Sequence, residues 1–187
     1  MKTALSLLAV ATVLFAPNVF ARQSSTDPES AVVPAGIQES DGEFSPQVQL
    51  HIARGDELST HLRFAAAARE YRKAADVARS EGHLASGTTW KLANAYYYDG
   101  NLVDAAAALD RLADEAAQVG DLAVEGLAIY HSAWLNGKAG RKTETTARVA
   151  RLEALLRSRY MPVAIRERLS SWLKTSRDLA AVSAGGN

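Results

Sequence analysis

The chain has 187 residues, 48% of them hydrophobic, and its 21 basic side chains balance 21 acidic ones. That is enough apolar material for one globular core, and no overall basic excess points to a nucleic-acid partner. With no cysteine, the chain has no disulfide, no thiol nucleophile and no cysteine metal site.

The N-terminus reads as a targeting segment and not as part of the fold. Lys2 supplies a positive charge, Ala4 to Phe15 is apolar, Pro17 and Asn18 break the run, and Val19-Phe20-Ala21 ends in a small residue. This is the layout of a secretory signal peptide over residues 1–21, cut after Ala21. The alternative is an uncleaved anchor, but the apolar run falls short of the ~20 residues that span a bilayer. Export by a bacterium to the periplasm or the medium is the expected location. Residues 22–45 hold Ser, Pro, Gly and acids with few large apolar side chains, the composition of a flexible leader. Charge is unevenly spread. Residues 22–60 carry two basic residues against seven acidic ones, whereas residues 141–178 carry ten basic residues against four acidic ones.

From Ser45-Pro46 onward the pattern predicts only helices. Ser45 is placed to cap a helix whose first position is Pro46, where a missing N–H costs nothing. Val48, Ile52, Gly55 and Leu58 form a stripe at helical spacing. Phe64, Ala67, Ala68, Tyr71, Ala74, Ala75 and Ala78 form a second, stopped at Gly82. Trp90, Ala93, Tyr96 and Tyr97 mark a third helix ending at Asp99-Gly100, and Leu102 to Ala116 a fourth ending at Gly120. Leu122 to Leu135 is a fifth, ended by Asn136-Gly137. Val149, Leu152, Leu155 and Leu156 belong to a sixth. Met161-Pro162 opens a seventh that carries Ile165, Leu169, Trp172 and Leu173. No stretch alternates with period two. The expected domain covers residues 46–180, followed by a disordered tail at 181–187.

The chain also repeats itself. An offset of 38 residues places Gly55 on Ala93, Leu58 on Tyr96, Phe64 on Leu102, Ala67 on Ala105, Tyr71 on Leu109 and Gly82 on Gly120. An offset of 40 then places Trp90 on Tyr130, Ala93 on Ala133, Gly100 on Gly140 and Leu112 on Leu152. Small residues at Gly55, Ala93 and Ala133, facing Ala67 and Ala105, let paired helices approach closely, while large residues fill the layer between hairpins. This pattern resembles the tetratricopeptide repeat. The closest matches are Arg63 to Tyr71 and Gly100 to Ala105. The chain departs from that family in a longer period than the usual ~34 residues, in Leu62 in place of the first turn glycine, and in having no repeat-closing proline. Repeat three also has Lys142 and Thr145 where an apolar and a small residue belong. An unrelated alanine-rich helical bundle is the alternative. The resemblance implies an all-α solenoid of about three helical hairpins plus a C-terminal capping helix.

The resemblance further implies that the first helix of each hairpin lines a concave groove for a peptide or a partner's helix. It assigns Trp90, Asn94, Tyr97 and Tyr98 to that groove from repeat two, and Tyr130, Trp134 and Lys138 from repeat three. Repeat one adds Ile52, Asp56 and Ser59. Aromatic rings contribute large contact area at low entropic cost, and Asn can pair with a ligand backbone. The competing reading is that these rings fill space between hairpins, which is preferred for Tyr96 and evenly balanced for Trp90 and Trp134. Arg148, Arg151, Arg157, Arg159, Arg166 and Arg168 form a possible basic contact face for an acidic partner or anionic headgroups. A solvated cap is the simpler reading. The histidines His51, His61, His83 and His131 lack metal-ligand spacing, no phosphate loop or nucleophile elbow is present, and no cofactor or metal is expected. The expectation is therefore a non-enzymatic adaptor of the bacterial envelope. A small-ligand-binding accessory protein with a pocket around Trp90 and Trp134, or a structural subunit docked through its basic end, are the alternatives.

Overall fold

A computed structural model describes residues 44–184, with side chains as far as Lys174. The expected signal peptide, the leader up to residue 43 and residues 185–187 lie outside the described residues. Seven helices follow one another: α1 (Pro46–Thr60), α2 (Phe64–Ser80), α3 (Ser86–Tyr98), α4 (Leu102–Val119), α5 (Leu122–Lys138), α6 (Lys142–Leu156) and α7 (Val163–Ala184). The described residues contain no strand. Each helix from α1 to α6 packs on the next, and α7 packs on α5 and α6. The result is an all-α solenoid of three helical hairpins with a capping helix. Its side chains also reach every second helix. Lys91 of α3 pairs with Asp56 of α1 and Tyr97 of α3 meets Trp134 of α5. On the other layer, Arg79 of α2 pairs with Glu115 of α4, and Arg148 of α6 with Asp110 of α4. Helices α1, α3 and α5 thus form one layer and α2, α4 and α6 the other. None of the described helices is long and apolar enough to cross a membrane.

Three helices, α1, α4 and α5, start where a short polar side chain satisfies one of the first amides. Ser45 Oγ accepts from the Val48 amide with Pro46 at the first position. Asn101 caps α4 by accepting from the Asp104 amide, and Asp121 caps α5 by accepting from the Val124 amide. Helices α1 to α5 stop by one device used five times. The amides of Arg63, His83, Asn101, Asp121 and Arg141 donate to the carbonyls of Leu58, Ala78, Tyr96, Ala116 and Asn136. Each closure needs a left-handed residue just before the donor. Gly82, Gly100, Gly120 and Gly140 fill four of those positions with φ between +73° and +85°, and Leu62 fills the fifth at φ +58°. The repeat is therefore written most plainly in its turns.

Close approach within a hairpin is visible at Gly55. A Cβ there would stand 2.5 Å from the Tyr71 ring, so α1 and α2 meet at a spacing only glycine permits. Tyr71 is buried, and its hydroxyl donates to Asp56 at 2.7 Å. Ala67, Ala93 and Ala105 are fully buried, as the small-residue pattern predicts. A main core runs from Ala67 through Trp90, Leu109 and Leu127 to Leu173. A second, smaller one gathers Phe44, Val48, Ala74, Ala75, Ala78 and Ala85. Helix α6 fully buries only Leu152, whereas α2 and α4 each bury six side chains. The polar substitutions at Lys142 and Thr145 explain that shallower seat: Lys142 is exposed, and the Thr145 hydroxyl turns back to the Arg141 carbonyl.

Several boundaries differ from expectation. Helix α5 runs through Gly137 to Lys138, because Gly140 rather than Asn136-Gly137 provides the left-handed turn. Phe44, assigned to the flexible leader, is buried edge-on against His83 at 5.6 Å. Helix α7 continues to Ala184, into residues assigned to the tail.

Candidate partner-binding surface

The layer of first helices divides into a covered half and an open half. Gly126, early in α5, lets α7 close in; a Cβ at that position would stand 2.9 Å from Leu169. From there α7 brings Trp172 onto the Tyr130 ring at 4.5 Å, nearly parallel, and against His131 at 5.8 Å. His131 in turn meets Trp90 edge-on at 5.1 Å. Trp90 has no exposed surface and Tyr130 almost none. The resemblance assigns both to the groove, with the core as an even alternative for Trp90, and both belong to the core. For Tyr130, spacing alone could not show this, because the covering ring comes from the capping helix rather than from a repeat; Trp90 is closed off by His131 of α5. Burial inside this aromatic cluster, and secondarily the nearby Arg168 charge, lowers the His131 pKa to about 3, so the ring is neutral at pH 7.

The remaining predicted residues do come together, towards the other end of the same helices. Phe64 stacks on Tyr98 at 5.2 Å, Tyr98 meets Tyr97 at 5.4 Å, and Tyr97 meets Trp134 at 5.6 Å. Lys138 closes the row. Its ammonium lies 4.5 Å from the Trp134 ring centre and 5.4 Å from that of Tyr97, and donates to the Tyr97 hydroxyl at 3.2 Å. Tyr98 is 58% exposed, and Tyr97 and Trp134 are partly exposed. One turn before Tyr98, the half-buried Asn94 keeps its side-chain oxygen without a hydrogen-bond partner. Such a row offers ring faces and edges to a partner and one cation held over two rings. Phe64 was not anticipated here. It reads as a core position of α2 because it aligns with Leu102, yet the first turn of α2 places its ring beside Tyr98.

Repeat one contributes less than expected. Asp56 is bound by the Lys91 ammonium and the Tyr71 hydroxyl, both at 2.7 Å, and so ties α1 to α2 and α3. Burial, and then the Asp56 carboxylate, push the Tyr71 pKa up. Ile52 and Ser59 are partly exposed.

The six arginines do not act alike. Arg148 makes a two-pronged bond to Asp110, at 3.1 and 2.6 Å. Arg151 bridges Asp114 at 2.6 Å and Glu125 at 2.9 Å. Arg166 donates to the carbonyls of Ser158 and Met161. Arg148 and Arg151 tie α6 to α4 and α5, and Arg166 ties α7 to the connection that precedes it. Arg168 lies over Trp172 at 4.6 Å and Arg159 over Tyr160 at 4.7 Å. Arg157, Arg159 and Arg168 are the exposed members of the set. Acids of α4 and α5 thus answer two of these six charges, those of Arg148 and Arg151.

The histidines have individual structural settings. His51 pairs with Glu70 at 2.7 Å, and the His61 ring lies 2.8 Å from the Glu57 carbonyl. Hydrogen bonds from Lys73 and His51 hold the Glu70 carboxyl below its usual range. Among the described residues, no group of three or more His, Asp or Glu side chains is placed to hold a metal ion. No protein-family model, curated protein or solved structure matches the chain.

Proposed function

We propose that this protein is a non-enzymatic adaptor of the bacterial cell envelope, built on tetratricopeptide-like hairpins. It binds a peptide segment of a partner protein along the Phe64–Tyr98–Tyr97–Trp134 row. The observation that carries the reading is that row itself: four rings in succession on three helices, with Tyr98 well exposed and a lysine over the last two rings. Aromatic side chains at the centre of a docking patch supply most of the affinity in many interfaces. The sequence pattern at residues 1–21 supports delivery to the periplasm or the medium. A pocket between Trp90 and Trp134 is disfavoured because Trp90 is closed off by His131. Docking through the basic end is disfavoured because Arg148, Arg151 and Arg166 are engaged within the chain.

A photo-crosslinking residue placed at Tyr98, and separately at Ala150 on exposed α6, tests this in the native envelope. Adducts with one discrete protein from position 98 and none from position 150 are expected. Adducts only from a probe at Arg157, or from Ala150 as readily as from Tyr98, would refute it.

A further inference from the structure

On the second-helix layer, between α2 and α4 with α3 as its floor, lies a cleft of about 190 Å³. Arg72, Asp76, Arg79, Leu92, Tyr96, Asp104 and Arg111 line it, and Ala107 and Ala108 leave it open on the α4 side. The repeat shows what occupies the corresponding place one interface further on. By the offsets of 38 and 40, Arg72 corresponds to Asp110, Ala108 to Arg148 and Arg111 to Arg151. At the later interface Arg148 reaches across from α6 and grips the Asp110 carboxylate with two bonds. At the earlier one the charge has changed sides. The guanidinium is Arg72 of α2, and the residue opposite is Ala108, which has no carboxylate to offer.

The other charges in the cleft are accounted for. Arg79 pairs with Glu115 at 2.8 Å and Asp76 at 3.3 Å, and Arg111 with Glu115 at 2.8 Å and Asp76 at 3.5 Å. Arg72 has no ion pair among the described residues; its guanidinium lies 5.6 Å from the Tyr96 ring centre. The Tyr96 side chain is only 8% exposed, lines the cleft, and keeps its hydroxyl without a hydrogen-bond partner. A buried donor of this kind is costly to leave unpaired. A guanidinium and a hydroxyl on one wall are the donors that a carboxylate takes. Asp104, held by the Asn101 amide at 2.7 Å, is the second charge in the cleft without an ion pair among the described residues. It opposes a second negative group on the ligand and attracts a positive one.

We propose that this cleft binds a small carboxylate of amino-acid size that also carries an ammonium group. The carboxylate sits on Arg72 and Tyr96, the ammonium faces Asp104, and Leu92, Ala107 and Ala108 receive the apolar part. This site lies on a different layer from the aromatic row and does not depend on it.

Titration of the isotope-labelled mature protein with L-alanine, acetate or ethylamine, followed by amide NMR shifts, tests the assignment. Saturable shifts around Tyr96 and Ala107 are expected with L-alanine, weaker ones with acetate and none with ethylamine. Arg72→Ala, at an exposed position, weakens L-alanine binding at least tenfold, while Tyr98→Ala leaves it unchanged. Ala108→Glu supplies the carboxylate from within, and so abolishes binding while raising the melting temperature. Absence of saturable shifts with L-alanine, shifts that persist in Arg72→Ala, or binding of acetate without L-alanine would overturn the proposal.

Discussion

Leu62 carries the conformation that glycine carries at the other four inter-helix turns. At φ +58° an L-residue with a Cβ costs about 1–2 kcal/mol relative to right-handed backbone. Its side chain is 74% exposed and so recovers little of that by burial. Leu62→Gly removes the strain but adds about 0.4–1 kcal/mol of unfolded-state entropy. The variant is expected to be more stable by about 0.5–1 kcal/mol in urea denaturation. Gly100→Ala is the mirror experiment. Nothing lies within 4 Å of the added Cβ, so only the backbone term acts, and a loss of about 1 kcal/mol is expected. A destabilised Leu62→Gly would mean that the leucine side chain has a role the turn geometry does not explain.

His131 makes a second residue-scale prediction, on pH. Unfolded, its imidazole takes a proton near pH 6.5; in the cluster, burial first and Arg168 second delay that to about pH 3. Between those values the unfolded chain binds more protons than the folded one. Stability therefore falls as pH drops through this window, by up to about 1.4 kcal/mol per pH unit from this group. His131→Phe keeps an aromatic ring beside Trp90, Tyr130 and Trp172 and should flatten the acid limb of a stability–pH curve. An acid limb unchanged by the substitution would place the sensitivity in other groups.

At the scale of elements, all seven helices were legible in the sequence because apolar and small residues recur at helical spacing and glycines close the turns. The helix-to-helix contacts at Gly55, Ala93 and Ala105 were legible for the same reason. The candidate surface was only half legible. Tyr97, Tyr98, Trp134 and Lys138 do assemble, but Tyr130 lies in the core under Trp172 of α7, which has no counterpart in the repeat, and Trp90 lies in the core behind His131 of α5. Periodicity places a residue on a face and carries no information on which later helix will pack there. The arginines of α6 show the same limit. Their acidic partners lie 38 residues earlier for Arg148–Asp110 and 37 for Arg151–Asp114, beyond any local charge pattern. A double-mutant cycle on Asp110 and Arg148 should give a coupling of about 1 kcal/mol, the upper range for exposed pairs, because the bond is two-pronged and partly shielded. A coupling near zero would reduce the pair to a surface contact.

For the molecule as a whole, a three-hairpin solenoid presents its two helix layers to solvent with different chemistry. The first layer is closed by α7 over Tyr130 and His131 and open at the aromatic row. The second is laced by ion pairs of α2, α4 and α6, with the cleft beside Arg72 between them. The aromatic row is the proposed partner-binding surface. The most direct measurement is the affinity of a partner, identified by crosslinking from position 98, for two double variants. Tyr98→Ala with Trp134→Ala should weaken binding by about 30-fold or more, as for truncated aromatic anchors worth about 2 kcal/mol or more. Arg157→Glu with Arg159→Glu should leave affinity within about twofold, because these charges lie outside the row. Unchanged affinity in the aromatic variant together with lost affinity in the arginine variant would contradict the account.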